Sequence, residues 1–369
     1  MSKTPDLNTL VAALVDGAQL QQRALTLTLG QCTLRVRSNS RELLERLAHY
    51  FAHVVGPDAE ADMEVIAIER DAPELGPAIE FVDWQREPGK SGRKDSYCDL
   101  SDGHKHARLL RKVRTGMVFL QSETQRIAAG PCLHNDNQVI NFINVQYMNW
   151  LLQRGWQICH AAGLVYHGRA LAIAAFSGGG KSTLMLHMLE NPAINYLTND
   201  RLFIKKDAAA TQAAGIPKLP RINPGTIVHN PRLQPLIPAQ QREALLALPG
   251  EELWQLEQKY DVLIEQHYGP GRISAEAPLA AFLVLNWQRD SDQPVRLQRV
   301  DIAARRDLLA AIMKSPGPFY QDADGRFSQD GSPLDEQAYL DALDSVAVYE
   351  ASGGIDFESL VQRVDELIG

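Results

Sequence analysis

The run from Ala175 to Thr183, Ala-Phe-Ser-Gly-Gly-Gly-Lys-Ser-Thr, constrains this chain more than any other segment. It fits the phosphate-loop pattern of a small residue, four others, then Gly-Lys-Ser, with alanine in the place of the usual first glycine. Glycines let the backbone curl so that successive N–H groups converge on phosphate oxygens. The apolar run Leu171 to Phe176 reads as a buried strand entering the loop, and Lys181 to Glu190 as a helix leaving it. That helix adds the positive end of its dipole to the same point. Ser177, Gly178, Gly179, Gly180, Lys181, Ser182 and Thr183 are therefore the candidate nucleotide-binding residues, and ATP with Mg²⁺ the implied ligands. Lys181 is placed to neutralise the β and γ phosphates, and the Ser182 hydroxyl to meet the metal. The next strand, Ile194 to Thr198, ends at Asn199-Asp200. Asp200 is the candidate acidic partner of the loop, although an Asn-Asp pair also opens turns.

The rest of the chain falls into two patterns. Leu7 to Leu20 has helical spacing, Ala24 to Arg37 alternates around Gly30-Gln31 as a hairpin, and Arg41 to Val54 is helical behind the cap Ser40. Met63 to Ile68 and Ile79 to Trp84 are strand-like, the polar tract Gln85 to Lys105 reads as an exposed loop, and Leu109 to Val113 with Met117 to Gln121 flank Thr115-Gly116 as a second hairpin. Asn135 to Arg154 has the length of one long helix ending at Gly155. A boundary just before it gives a smaller N-terminal α+β domain, 1–134, and a phosphate-loop α/β domain, 135–369. In the latter, short strands at Leu171 to Phe176, Ile194 to Thr198 and Phe282 to Trp287 alternate with helices such as Ile302 to Lys314, which predicts a substantially parallel sheet. The proline-rich stretch Ile216 to Pro238 cannot be regular structure for long, which predicts a functional loop or an excursion over the surface.

Charge and composition narrow the partners. A formal net charge of -8 gives no general attraction for nucleic acid or an anionic membrane. The polar N-terminus lacks an apolar run of signal-peptide or membrane-span length, so residence in the cytoplasm is the expectation. Cys32, Cys98, Cys132 and Cys159 lie too far apart for a zinc or dithiol motif, and His104 with His106 has no carboxylate or cysteine at ligand spacing.

The segment His160 to Asp200 resembles the catalytic core of bacterial HPr kinase/phosphorylase, and more closely the HPr-kinase-related enzymes of type B. In that family a histidine, a short hairpin and a strand lead to Ser-Gly-x-Gly-Lys-Ser, and the strand after the loop helix ends in an Asp-Asp pair. Here the run is His160-Ala161-Ala162-Gly163-Leu164-Val165-Tyr166-His167-Gly168, then the strand, then Ser177 to Ser182, with Asn199-Asp200 for the pair. Weaker similarity continues through Lys218 to Gly225 and Tyr260 to Leu285. The resemblance implies the phosphate-loop kinase fold shared with phosphoenolpyruvate carboxykinases, and oligomers, which are common among its members. It also implies catalytic roles for His160, Lys181 and Asp200, the last as proton shuttle, and a metal-binding role for Ser182.

The chain departs from the family at several positions. Asn199 replaces the first acid, Lys218-Leu219-Pro220-Arg221-Ile222 stands where a glutamate-bearing signature belongs, Val262 replaces an arginine, and the basic loop survives as Gly269-Pro270-Gly271-Arg272. The expected function is an ATP-dependent kinase that transfers the γ-phosphoryl group to a serine-like hydroxyl, on an unidentified protein or small molecule. Arg272 or Arg221 is a further candidate to balance the transferring charge. The alternative is a nucleotide-binding regulator or scaffold that keeps the loop and transfers nothing.

Overall fold

Asp6 and Ser40 each accept a backbone N–H with the side chain, from Thr9 and Leu43, and so begin the first two helices, α1 (Leu7–Val15) and α2 (Arg41–Tyr50). The computed structural model describes residues 6–85, 95–102, 105–176, 178–256, 258–288 and 290–368; Ser177 of the loop, His104, and much of the polar tract after Gln85 lie outside them. The chain is a mixed α/β protein with two main sheets, and it divides into one unit of Met1–Gly155 with Pro316–Pro333 and another of Trp156–Ser315 with Leu334–Gly369.

The first unit holds strands β1 (Leu25–Leu29), β2 (Cys32–Ser38), β3 (Met63–Glu69), β4 (Val82–Asp83), β5 (Asp95–Asp102), β6 (Lys105–Lys112), β7 (Val118–Ser122) and β8 (Arg126–Gly130) in the order β1-β2-β3-β8-β7-β6-β5-β4. Leu10, Leu14, Ile68, Leu109, Leu120 and Ile127 form its core. The polar tract taken for a loop contains β5, whose alternating residues pair with β6 over its full length. Polarity misled there because a strand keeps one face wet. Helix α3 (Asp136–Leu152) belongs to this unit and buries Asn144, Gln146 and Asn149 along with its apolar residues. Each buried amide finds a partner: Gln146 donates to Gln121, Asn149 to the Phe319 carbonyl, and Asn144 to the Ile140 carbonyl.

In the second unit, β9 (Gln157–Cys159), β10 (Ala161–Tyr166) and β11 (Arg169–Ala175) lead to α4 (Lys181–Met188), β12 (Ile194–Thr198), β13 (Leu202–Lys206) and β14 (Thr211–Ala214). After β15 (Arg221–Ile222) come α5 (Pro224–Val228), α6 (Ala239–Leu246), α7 (Gly250–Gln255), β16 (Tyr260–Asp261) and α8 (Ile264–Tyr268). The remainder is β17 (Glu276–Leu285), β18 (Arg296–Val300), α9 (Arg306–Ile312), α10 (Glu336–Leu343), β19 (Ala347–Ser352), α11 (Phe357–Gln362) and α12 (Val364–Ile368). The sheet runs β12-β10-β11-β17-β14-β13-β9, with β19 also on β17 and β18 on β19.

In this second sheet, among the described residues, only β11–β17 and β17–β19 pair in parallel, so the expectation of a substantially parallel sheet is corrected to a mixed one. The cause is local. His167 (φ 49) and Gly168 (φ 74) form a tight left-handed turn that folds β11 back on β10, and a hairpin can only be antiparallel. The proline-rich stretch Ile216 to Pro238 holds short pieces, β15, α5 and a 3-10 turn at Gln234–Leu236, but it buries Ile216, Leu219, Ile222, Ile227, Val228, Leu233 and Ile237, so the expected excursion over the surface is corrected to a packed irregular segment.

Candidate functional site

Strand register assembles the site. Strand β11 is buried from Ala170 to Ala175 and pairs with β10 so that Ala161 faces Ala174, which sets His160 beside the start of the phosphate loop. Strand β12 lies on the other edge of β10, with Thr198 opposite Gly163, and so carries Asn199 and Asp200 toward the same place. Asp200 adopts a left-handed backbone (φ 70), which short polar side chains tolerate, and there the chain turns into β13. The sequence separates these residues widely; β10 brings them together.

The loop itself has the backbone its glycines predict. Gly178 and Gly180 have φ of 77 and 84. A Cβ on Gly179 would stand 2.6 Å from that of Ala175, so the first residue of the motif rests directly under the fifth. Trp287, just beyond β17, donates its indole N–H to the Gly179 carbonyl at 3.1 Å and packs edge-on against Phe357. Phe357 in turn stacks on His187 of α4. A cavity of about 170 Å³ opens beside the loop, lined by Phe176, Gly178, Gly179, Leu285, Trp287 and Ile355.

Lys181, His160 and Asp200 form a chain of contacts. The Lys181 ammonium is 3.2 Å from His160 Nε2 and donates to the Ala175 carbonyl at 3.3 Å. The same imidazole nitrogen is 3.1 Å from Asp200 Oδ1. On the other carboxylate oxygen, Oδ2, stand Lys314 at 3.6 Å and Arg201 at 3.9 Å. Burial pushes the Asp200 carboxyl up, but the His160 hydrogen bond and the charges of Lys314 and Arg201 outweigh it and hold the group well below the usual carboxylate range.

Ser182 donates its hydroxyl to Asn199 Oδ1 at 2.9 Å, and Thr183 shares a hydrogen bond with Thr226 at 3.2 Å. Ser182 and Asn199 thus present two hard oxygen donors side by side, with the Asp200 carboxylate next along the chain. Among the described residues no group of three or more His, Cys, Asp or Glu could hold a metal. The donors fit Mg²⁺ that arrives with a nucleotide, since that ion keeps phosphate oxygens and water among its ligands.

Arg272 has a structural task. Its guanidinium donates to the carbonyls of Leu189, Asn191, Ile194 and Tyr268, closing the end of α4, so the expectation that it balances transferring charge is corrected. Arg221 stays at the site's margin, paired with Asp261 at 3.1 Å. Three residues that sequence reasoning did not assign a role, Arg201, Lys218 and Lys314, lie in the electrostatic reach of Asp200. Lys314 gets there because the His160 N–H donates to the Ile312 carbonyl and Cys159 bridges Met313, a long-range pairing with no local sequence signal. The thiols of Cys32 and Cys132 are pushed up to about 12 by burial, which keeps them protonated and unreactive. Among the described residues no helix is long and apolar enough to cross a membrane.

No protein-family model matches the chain, and no curated protein does. Among solved structures, the chain is similar to the Hpr(Ser) kinase/phosphatase from Coxiella burnetii over 57% of this chain and 88% of that one, with 11% sequence identity and a TM-score of 0.27. The likeness to HPr kinase/phosphatase is distant and structural.

Proposed function

We propose that this protein is an ATP-dependent phosphotransferase of the HPr-kinase-related kind, moving the γ-phosphoryl group to a hydroxyl acceptor. The observation that carries the reading is His160 Nε2 standing 3.1 Å from Asp200 and 3.2 Å from the phosphate-loop Lys181. A base, its orienting imidazole and a phosphate-binding cation are thereby one constellation. The loop N–H groups and Lys181 hold the nucleotide phosphates. The acceptor oxygen attacks the γ-phosphorus in line, the bond from that phosphorus to the β–γ bridging oxygen breaks, and ADP leaves with the electron pair. Asp200 receives the hydroxyl proton, with His160 fixing its orientation. Ser182 and Asn199 would hold a Mg²⁺ that arrives with the nucleotide, and the ion would supply charge neutralisation.

Mg-ATP should protect the wild-type protein against heat, by about 2.7 kcal/mol at a hundredfold excess over the dissociation constant. Lys181→Ala should lose most of that protection. An equal shift in both proteins would remove the phosphate-loop assignment.

One observation favours a second reading. The Ser182 hydroxyl meets a neutral amide, Asn199, where an acid would hold the metal more firmly. A nucleotide-binding regulator needs no more than this. Labelling of an acceptor from ATP in a lysate separates the two, because a regulator would bind and slowly hydrolyse ATP but label nothing.

A further inference from the structure

Beside Asp200 the second unit gathers positive charge that the loop does not use. Asp200 turns Oδ1 to His160, which in turn meets the phosphate-loop lysine, and Oδ2 to Lys314 and Arg201. Lys218 lies within the electrostatic reach of the same groups. The charges that act on it most strongly are those of Arg201, Asp200, Arg221 and Lys314, three cations and one carboxylate, and among the described residues no carboxylate is within ion-pair distance of its ammonium. Arg221 has its own acid, Asp261.

The backbone holds Lys218 in this position. Its N–H donates to the Ile216 carbonyl at 2.7 Å and its carbonyl accepts the Tyr196 hydroxyl at 2.6 Å. Gly215, three residues earlier, is pressed against the Leu197 carbonyl so closely that no Cβ fits. The segment is thus locked onto β12, the strand that delivers Asp200. Burial, together with the neighbouring cations, pulls the Lys218 ammonium down to about 7. A lysine so placed among cations gives up its proton near neutral pH, and an anion that joins it favours the charged form again.

We propose that Lys218, Lys314 and Arg201 form a second anion subsite, across Asp200 from the phosphate loop, which holds a phosphomonoester carried by the acceptor itself. The acceptor would then be a small hydroxy compound already bearing one phosphate. A phosphomonoester carries about two negative charges near neutral pH, and three cations around one carboxylate suit a dianion better than a single carboxylate. The anion anchors one end of the acceptor, leaving its hydroxyl to reach Asp200 between the two sites. The proposal rests on the phosphotransferase reading for the word acceptor, but the subsite stands on its own residues.

Titration calorimetry of inorganic phosphate into the full chain tests it. Wild type should show two classes of site, one lost in Lys181→Ala and the other weakened at least tenfold in Lys218→Gln. Lys218→Arg should restore most of that loss, and Lys314→Met should weaken the same class, so the test does not depend on one variant folding. At pH 8 binding to the second class should take up a proton, seen as a heat that changes with the ionisation enthalpy of the buffer, because the anion returns Lys218 to its charged form. A purely structural lysine would give no such uptake. Malonate should bind that class more weakly than phosphate; tighter binding would overturn the phosphomonoester assignment. If Lys181→Ala binds no phosphate at all, the subsite is wrong and the loop assignment survives. If Lys181→Ala binds as wild type while Lys218→Gln loses a site, the loop assignment fails and the subsite survives.

Discussion

Asp200 is held by three cationic or donating groups, and this sets how it works as a base. A carboxylate kept well below its usual range is ionised at every pH of interest but accepts a proton weakly. Asp200→Asn keeps the shape and removes the base, so transfer should fall by about 10² to 10⁴ while nucleotide affinity changes little. The sign of the pH effect follows from the depressed value: activity needs the ionised form, which is lost only as pH falls through the lowered value. The acid limb of kcat/KM should therefore lie below the ordinary carboxylate range, and Lys314→Met should move it upward by removing a charge that favours ionisation. A limb at the same pH in both proteins would take Asp200 out of the base's role. His160, Lys181 and Asp200 were legible as candidates because each belongs to one short ordered run. Lys218 was seen only as part of a weak similarity, and Lys314 not at all, since its approach depends on the segment after α9 pairing with β9 and His160.

At the scale of elements, the phosphate loop is a packing problem that glycines solve. Alanine at 175 fills the space under the loop where the motif usually has glycine, and only because residue 179 lacks a Cβ can the two approach. Gly179→Ala would set two carbons 2.6 Å apart, forcing the loop backbone to shift. The variant should fold but lose most of its stabilisation by Mg-ATP. Adding Ala175→Gly should restore part of it, as the clash with the side chain disappears while the 3.0 Å contact with the Phe176 carbonyl remains. Rescue is the informative result, since independent effects would only add. The hairpins around Gly30 and Gly116 were readable from their turn residues, whereas the one at His167-Gly168 entered only through the family resemblance. The parallel placing of β11 on β17 and of β17 on β19 was not, because it joins strands through long crossovers whose register no local residue encodes.

At the scale of the whole molecule, the first unit is interrupted in sequence and needs its returning segment. Arg108 is fully buried, paired with Asp99 through two bonds of 2.6 and 2.7 Å, and its remaining donors go to the carbonyls of Pro318 and Ser328. Tyr97 and Phe327 cover the guanidinium at 4.4 and 4.8 Å from its carbon. Gln121 and Asn149 both donate to the Phe319 carbonyl, and Phe319 packs on Phe119 and Phe142. The three carbonyls, of Pro318, Phe319 and Ser328, lie within 316–333, far from the rest of the unit along the chain. A fragment of residues 1–155 would leave a buried cation and two amides without their carbonyls and an aromatic cluster without its centre. Leaving a buried donor without its acceptor costs about 1–3 kcal/mol, more for a charged group, so these losses together are a large share of the about 5–15 kcal/mol that a domain has. The fragment should therefore lack a cooperative thermal transition, and a peptide of residues 316–333 added in trans should restore one, with near-ultraviolet circular dichroism reporting the repacked aromatics. Arg108→Met in the full chain should act differently, because it removes the charge and most of its demand for acceptors together. Its cost should be smaller than that of deleting 316–333. A fragment 1–155 that melts cooperatively alone would show that these buried donors find other partners, and the returning segment would then be packing material rather than part of the unit's core.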